Sequence, residues 1–346
     1  MISTSASSFM MHRRRMIRLL LFVLFGLLCV GESVGDNDGL DLGGGIVTQT
    51  NVERYAALAL DLRDMETHIQ SGKVNDATNV YMNGHNSGSD ATGRRLTLHR
   101  LSDDLANLPL NDTCPSFLYQ LYGLTTRSTK VSYLQSNSKY ADVRVRTYLT
   151  EDPSKATTAT RVLNMWMYST YLLYQGLDRC YKRSVADNPD MIQLGGGGMD
   201  EFIGLWIGKD QTPGRSDGYG LYTWSQEMGN YFGQNDPESP VNSDLKLLYQ
   251  EGVTALSFTN ACTPNNDDSM PHLWSVAQRM MSKATIPLMQ GLIYAIANKD
   301  RELTSLYAEA VIPQVVQCRP SVYKRLKTQL LGVGAIDYTM PENIIA

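Results

Sequence analysis

The stretch SKATTATRVLNMWMYSTYLLYQGLDRCYK, residues 154–182, decides the fold. Its apolar and aromatic members Val162, Leu163, Trp166, Met167, Tyr171 and Tyr174 crowd too much of a helical wheel for a surface helix, which shows one apolar stripe. The segment predicts a long central helix, buried on most sides, with Ser154 as its N-cap. The rest of the chain must then supply helices to cover it.

It does. Val52, Tyr55, Leu58, Ala59, Leu62, Met65 and Ile69 recur at helical spacing, and Ser71-Gly72 stops that run. Further helices are expected over residues 76–82, 94–107, 199–208, 219–232 and 244–257. The longest runs over 271–298, where Pro287 removes a ladder bond and should kink it. Two more, over 302–317 and 320–331, complete the set. Residues 119–150 form a less regular insertion, rich in Tyr, Thr, Val and Ser, for which a strand pair is the alternative to helix. The expected architecture is all-α: an irregular multi-helix bundle in one domain over 51–335, followed by a short tail over 336–346.

Upstream, Arg13, Arg14, Arg15 and Arg18 precede an apolar run from Leu19 to Val30. A basic segment feeding a short apolar one is the mark of a secretory signal, and the run falls short of the roughly 20 residues of a membrane span. Gly31, Ser33 and Gly35 offer a cleavage region, so residues 1–35 are expected to be a signal peptide. An uncleaved anchor is the alternative, and would be the only membrane attachment. Residues 36–50, with Gly43-Gly44-Gly45, read as a flexible leader.

Of the five cysteines, Cys29 lies in the apolar run, leaving Cys114, Cys180, Cys262 and Cys318. An even number in an exported chain predicts disulfides. Three connectivities can be drawn; Cys114–Cys180 with Cys262–Cys318 is favoured because each pair brackets one helical stretch. Asn111 opens a glycosylation sequon. The net charge of −4 leaves no basic footprint for nucleic acid.

Catalytic signatures are missing. Gly195 to Gly198 lacks the Lys-Ser/Thr ending of a phosphate loop, and Asp200-Glu201 places carboxylates where phosphate would sit. The run is better explained as a hinge before an acidic first turn. His68, His85, His99 and His272 are scattered, with no Glu-x-x-His pair. The chain is therefore expected not to be an enzyme. Oxygen donors, by contrast, abound, with 19 tyrosines, many near acidic residues. Hard cations such as Fe(III) favour such donors.

Several segments resemble the algal low-iron-inducible periplasmic iron-assimilation proteins, relatives of the phytotransferrins. They are Leu60-Asp61-Leu62, Ala77 with Tyr81, the turn Gly84-His85-Asn86-Ser87, Met199 to Phe202, Trp206 to Gly208 and Gly220 to Tyr222. Leu248 to Gly252, Ile286 to Gly291, and Val311 to Val315 with Cys318 continue the series. His85 stands where that family's turn has lysine, and the family's usual cysteine after the Leu-Tyr motif is missing near Phe232.

The resemblance implies a secreted, periplasmic or cell-surface protein that binds ferric iron for assimilation, with carbonate as a candidate co-ligand. It implies a cell-surface iron transporter or reductase as partner. The expected site lies where the helix after Gly198 meets the turn at 83–87, with Asp200, Glu201, Tyr222 and Glu227 as oxygen ligands and His85 or His68 as imidazole. Tyr222 and Glu227 are five apart, about 140° around a helix, so they can join one site only from opposite flanks. The rival expectation is a secreted helical scaffold in which these polar groups are structural and no metal binds. A secreted hydrolase with an unrecognised constellation is a third, and would need a cleft pairing a nucleophile with His68, His85 or His272.

Overall fold

The computed structural model describes residues 39–43, 46–89, 92–106, 140–185, 197–234, 237–257, 262, 269–315 and 319–331, all within one compact unit that begins at Asp38. The described residues hold helices and no strands. In chain order these are α1 (Glu53–Ala56), α2 (Leu58–Gln70), α3 (Val74–Asn83), α4 (Leu98–Ala106) and α5 (Tyr140–Glu151). A 3-10 turn (Pro153–Lys155), a short α turn (Ala156–Ala159) and a π turn (Thr160–Met165) lead without a break into α6 (Trp166–Val185). Then come α7 (Gly197–Ile207), α8 (Leu221–Tyr231), α9 (Pro240–Ser257), α10 (Ser269–Ala297), α11 (Arg301–Val315) and α12 (Pro320–Leu331).

The run from Pro153 to Val185 is the central buried element. Every side chain from Ala159 to Thr170 is buried. Its neighbours include α5, α7 and α10. Ser154 is not its N-cap: that residue lies inside the 3-10 turn, and its Oγ donates to Asp152 Oδ1 at 2.6 Å. The π turn carries two buried polar residues, Arg161 and Asn164. Asn164 Nδ2 donates to Tyr81 Oη at 3.0 Å and to the Leu98 carbonyl at 2.9 Å, tying α6 to α3 and α4. Such turns insert one residue into the helical register and recur at functional sites.

Three indoles fill the centre, and each finds an acceptor, as buried Trp N–H groups require. Trp166 donates to the Ala284 carbonyl at 2.8 Å, Trp206 to Asn242 Oδ1 at 3.0 Å and Trp224 to Tyr307 Oη at 3.3 Å. α10 runs through Pro287 without ending.

Two expectations are corrected. The strand alternative fails over 140–151, which is helix α5; Ala141, Val145, Tyr148 and Leu149 are buried at helical spacing. Residues 39–43 and 46–50 are not a loose leader. Leu42 and Ile46 are buried, and the Leu40 and Thr48 backbones pair at 3.0 Å. Apolar side chains in that glycine-rich stretch gain more by packing than the backbone loses.

The favoured disulfide pairing is also replaced. Cys180 pairs with Cys262, Cα to Cα 4.7 Å, which excludes both Cys114–Cys180 and Cys262–Cys318. Bracketing one helical stretch is no guide here, because α10 packs on both α6 and α9. That packing brings Cys262, beyond α9, to Cys180 near the end of α6. Cys114, Cys318, Asn111, the signal segment and residues 107–139 lie outside the described residues.

The bond closes a loop with a sequence separation of 82 residues. Non-reducing peptide mapping should therefore recover a Cys180–Cys262 peptide. Cys180→Ser should lower unfolding free energy by up to about 4.5 kcal/mol on the chain-entropy model. Recovery of a Cys114–Cys180 peptide would overturn this connectivity.

Candidate functional site

The turn after α3 is built on one buried carboxylate. Asp61, inaccessible on α2, accepts from the backbone N–H of His85 at 2.9 Å and of Asn86 at 2.5 Å, and from Asn86 Nδ2 at 3.1 Å. Its second oxygen takes the Ser87 N–H at 3.3 Å. Gly84, at φ 65°, supplies the left-handed residue that opens the turn. One helical turn past Asp61, Asp64 Oδ2 meets His85 Nδ1 at 2.8 Å and Asn86 Nδ2 at 2.9 Å. Burial pushes the Asp64 carboxyl up, but hydrogen bonds from His85, Asn86 and Arg63 outweigh it and hold it below its ordinary range. His85 itself stands in solvent, its ring fixed by Asp64.

Asp200 and Glu201 face different partners. Asp200 is fully buried; it accepts from Tyr249 Oη at 2.6 Å, and from the Thr50 N–H at 2.7 Å and hydroxyl at 2.8 Å. Burial dominates and pushes its carboxyl up despite these donors. Glu201 Oε1 accepts from Tyr55 Oη at 2.9 Å, and Arg54 Nη2 donates to the same phenol at 2.7 Å. Glu201 Oε2 lies 3.9 Å from Arg179 Nη2 and has no hydrogen-bond partner. Burial raises this carboxyl too, opposed chiefly by Arg179.

Tyr222 is buried; its Oη accepts the Gly214 N–H at 2.7 Å and donates to Glu238, which pairs with Lys246 at 2.8 Å. Burial, then Glu238, pushes the phenol far up. His68 lies 4.0 Å from Asp76 on the outside of α2 and α3. The six expected ligands thus engage separate partners. Among the described residues no group of three or more His, Cys, Asp or Glu converges as a metal cage.

Glu227 is the exception in one respect: it is half-buried and takes no hydrogen bond among the described residues. Burial raises its carboxyl, Arg161 lowers it and Glu66 raises it. Arg161, held in the π turn, sits 3.5 Å from Glu66 and donates through Nε to the Tyr219 carbonyl at 3.4 Å. Around this trio stand Tyr231, stacked on Tyr294 with ring centroids 4.1 Å apart, and Tyr307. Sequence reasoning did not find this neighbourhood. Its signals were Arg161 as the one charge in the fully buried run from Ala159 to Thr170, and the Glu227–Tyr231 spacing of one helical turn.

Residues 18–230, more than half of the chain, match the family described as low iron-inducible periplasmic protein. The chain belongs to that family. The matched stretch covers the Asp61-centred turn, Arg161, Asp200, Glu201, Tyr222 and Glu227. As a low iron-inducible periplasmic protein, it has a place outside the cytoplasm and a link to iron supply. No described helix is long and apolar enough to cross a membrane. No curated protein and no solved structure matches the chain.

The fixed His85 turn makes a pH-dependent contribution. A carboxyl depressed in the folded state stabilises above its unfolded pKa, and that contribution is lost as pH falls through the folded value. Asp64→Asn should therefore lower stability most above the ordinary aspartate range of about pH 4, and the gap to wild type should narrow as pH falls below it. Urea unfolding across that range checks it; a gap of constant size would remove the carboxylate's charge from the explanation.

Proposed function

We propose that this chain is an extracytoplasmic ferric-iron-binding protein that aids iron assimilation and performs no catalysis of its own. Membership of a family named for induction under low iron carries the reading. A supporting feature is the kind of donor gathered around Arg161. Glu66, Glu227 and Tyr307 offer carboxylate and phenol oxygen there, which hard cations favour over sulfur.

The six residues expected from sequence divide by what they already do. Asp200 and Tyr222 are committed to neighbours that hold the fold together, and releasing them to a metal would leave buried donors unpaired. Glu201 keeps one oxygen without a partner but is hemmed between Tyr55 and Arg179. His85 and His68 are at the surface, each beside its own aspartate. Glu227 alone combines partial burial with a carboxylate free of hydrogen bonds. Carbonate is the candidate co-ligand, and Arg161 is the cation that such an anion would meet beside Glu227. Passage of iron to a transporter or reductase at the cell surface fits an exported carrier.

Titration of the mature exported protein with ferric nitrilotriacetate, at fixed bicarbonate, tests the reading. Saturable binding with a raised melting temperature is expected, since a ligand of the folded state alone stabilises it by mass action. No binding and no shift would instead favour a helical surface scaffold whose polar residues are structural.

A further inference from the structure

Three sulfur atoms meet where α6 packs on α10. Cys180, near the end of α6, is bonded to Cys262, which lies between α9 and α10, with their Cα atoms 4.7 Å apart. Met270, the second residue of α10, brings its Sδ to 3.5 Å from Cys180 Sγ. All three side chains are buried. The thioether does not depend on the disulfide for its place. Trp166 on α6 donates to the Ala284 carbonyl of α10 at 2.8 Å, and the rings of Tyr174 on α6 and Trp274 on α10 lie 6.1 Å apart. Trp274 stands one helical turn past Met270, so these contacts hold Met270 against α6 whether or not the cysteines are joined.

We infer that Cys180, Cys262 and Met270 form, once the disulfide is reduced, a buried three-sulfur site for Cu(I). Thiolate and thioether sulfur are soft donors that select Cu(I), whereas hard cations favour oxygen. The site is therefore separate from the iron-binding reading and stands or falls without it. Zn(II) takes four ligands in a closed protein site, and three sulfurs leave it one short. Three sulfurs around one metal ion, with bonds of about 2.3 Å, stand about 4 Å apart. Met270 already lies close to that spacing from Cys180. Rotation of the Cys262 side chain, from a Cα only 4.7 Å away, supplies the third corner.

The reaction has two steps. A dithiol gives the two electrons and two protons that turn the Cys180–Cys262 bond into two thiols, and leaves as its own disulfide. Cu(I) then takes the place of both thiol protons, which pass to solvent, and accepts a lone pair from the Met270 thioether. The metal stays monovalent throughout. The two cysteine sulfurs cannot carry the metal and their mutual bond together, so Cu(I) and the disulfide exclude each other.

The full exported chain, reduced with a dithiol and desalted under argon, is titrated with Cu(I) bicinchoninate, and the loss of that complex's visible absorption is followed. Reduced wild type should withdraw one equivalent of copper, and the oxidised chain none. Met270→Leu keeps the volume of the side chain and removes only the sulfur, so it should fold as wild type does and bind at least about tenfold more weakly. Cys180→Ser should lose the equivalent altogether; if it does not fold, Met270→Leu alone carries the test. Affinity within about twofold of wild type in Met270→Leu, or a full equivalent kept by Cys180→Ser, would place the copper on other sulfurs and overturn the site. Equal binding by the oxidised chain would overturn it as well. So would loss of helical circular dichroism on reduction alone, because the three sulfurs would no longer be held together.

Discussion

The close crossing of α6 and α7 is the constraint on which the other helices depend. Gly176 and Gly198 meet there with no side chain between them; a methyl group on Gly176 would sit 2.7 Å from the Gly198 Cα, and one on Gly198 only 2.6 Å from the Leu172 carbonyl oxygen. No real Cβ tolerates such contacts, so two backbones approach where any other residue would hold them apart. The consequences run outward from that point by single helical turns. Three residues on along α6 is Arg179, and three on along α7 is Glu201, its ionic neighbour. Asp200, turned the other way, reaches Tyr249 on α9 and Thr50 before α1. The glycine run that resembled a hinge in the sequence is, at Gly197 and Gly198, the first turn of a packed helix.

The periodic segments were legible because burial of one face is what a helical repeat records. The central helix, α2 and the long α10 all stand within a few residues of the expected bounds. Helix α5 was obscured by its own composition. Tyr140 to Glu151 alternates Val and Arg in the manner of a strand, yet its helical set Ala141, Val145 and Leu149 is what packs. Tertiary burial overrode a local pattern. The π turn left no sequence mark beyond the presence of Arg161 and Asn164 among apolar neighbours. The disulfide could not be read because pairing follows proximity in the folded bundle and not order along the chain.

The candidate site was legible in kind but not in place. Oxygen donors were the correct residue type to seek for a hard ion, yet most acidic side chains named from the sequence are fasteners. Asp61 organises a turn, and Asp200 clips an upstream segment to two helices. A buried carboxylate that accepts several N–H or O–H bonds is an anchor, and nothing in a one-dimensional pattern separates it from a ligand. Glu227 differs because its neighbours are an arginine and phenols on elements distant in sequence, brought together only when α8 packs on α10.

The covalent link between Cys180 and Cys262 has a further consequence for a protein that works outside the cytoplasm, where proteases are abundant. It encloses α7, α8 and α9 in one ring. A single peptide-bond cut anywhere within that ring leaves the two resulting ends joined through sulfur, so the chain stays one molecule. Asp200, Glu201, Tyr222, Glu227 and Tyr231 all lie inside the ring. Nicking there leaves both ends attached to the protein and releases no fragment.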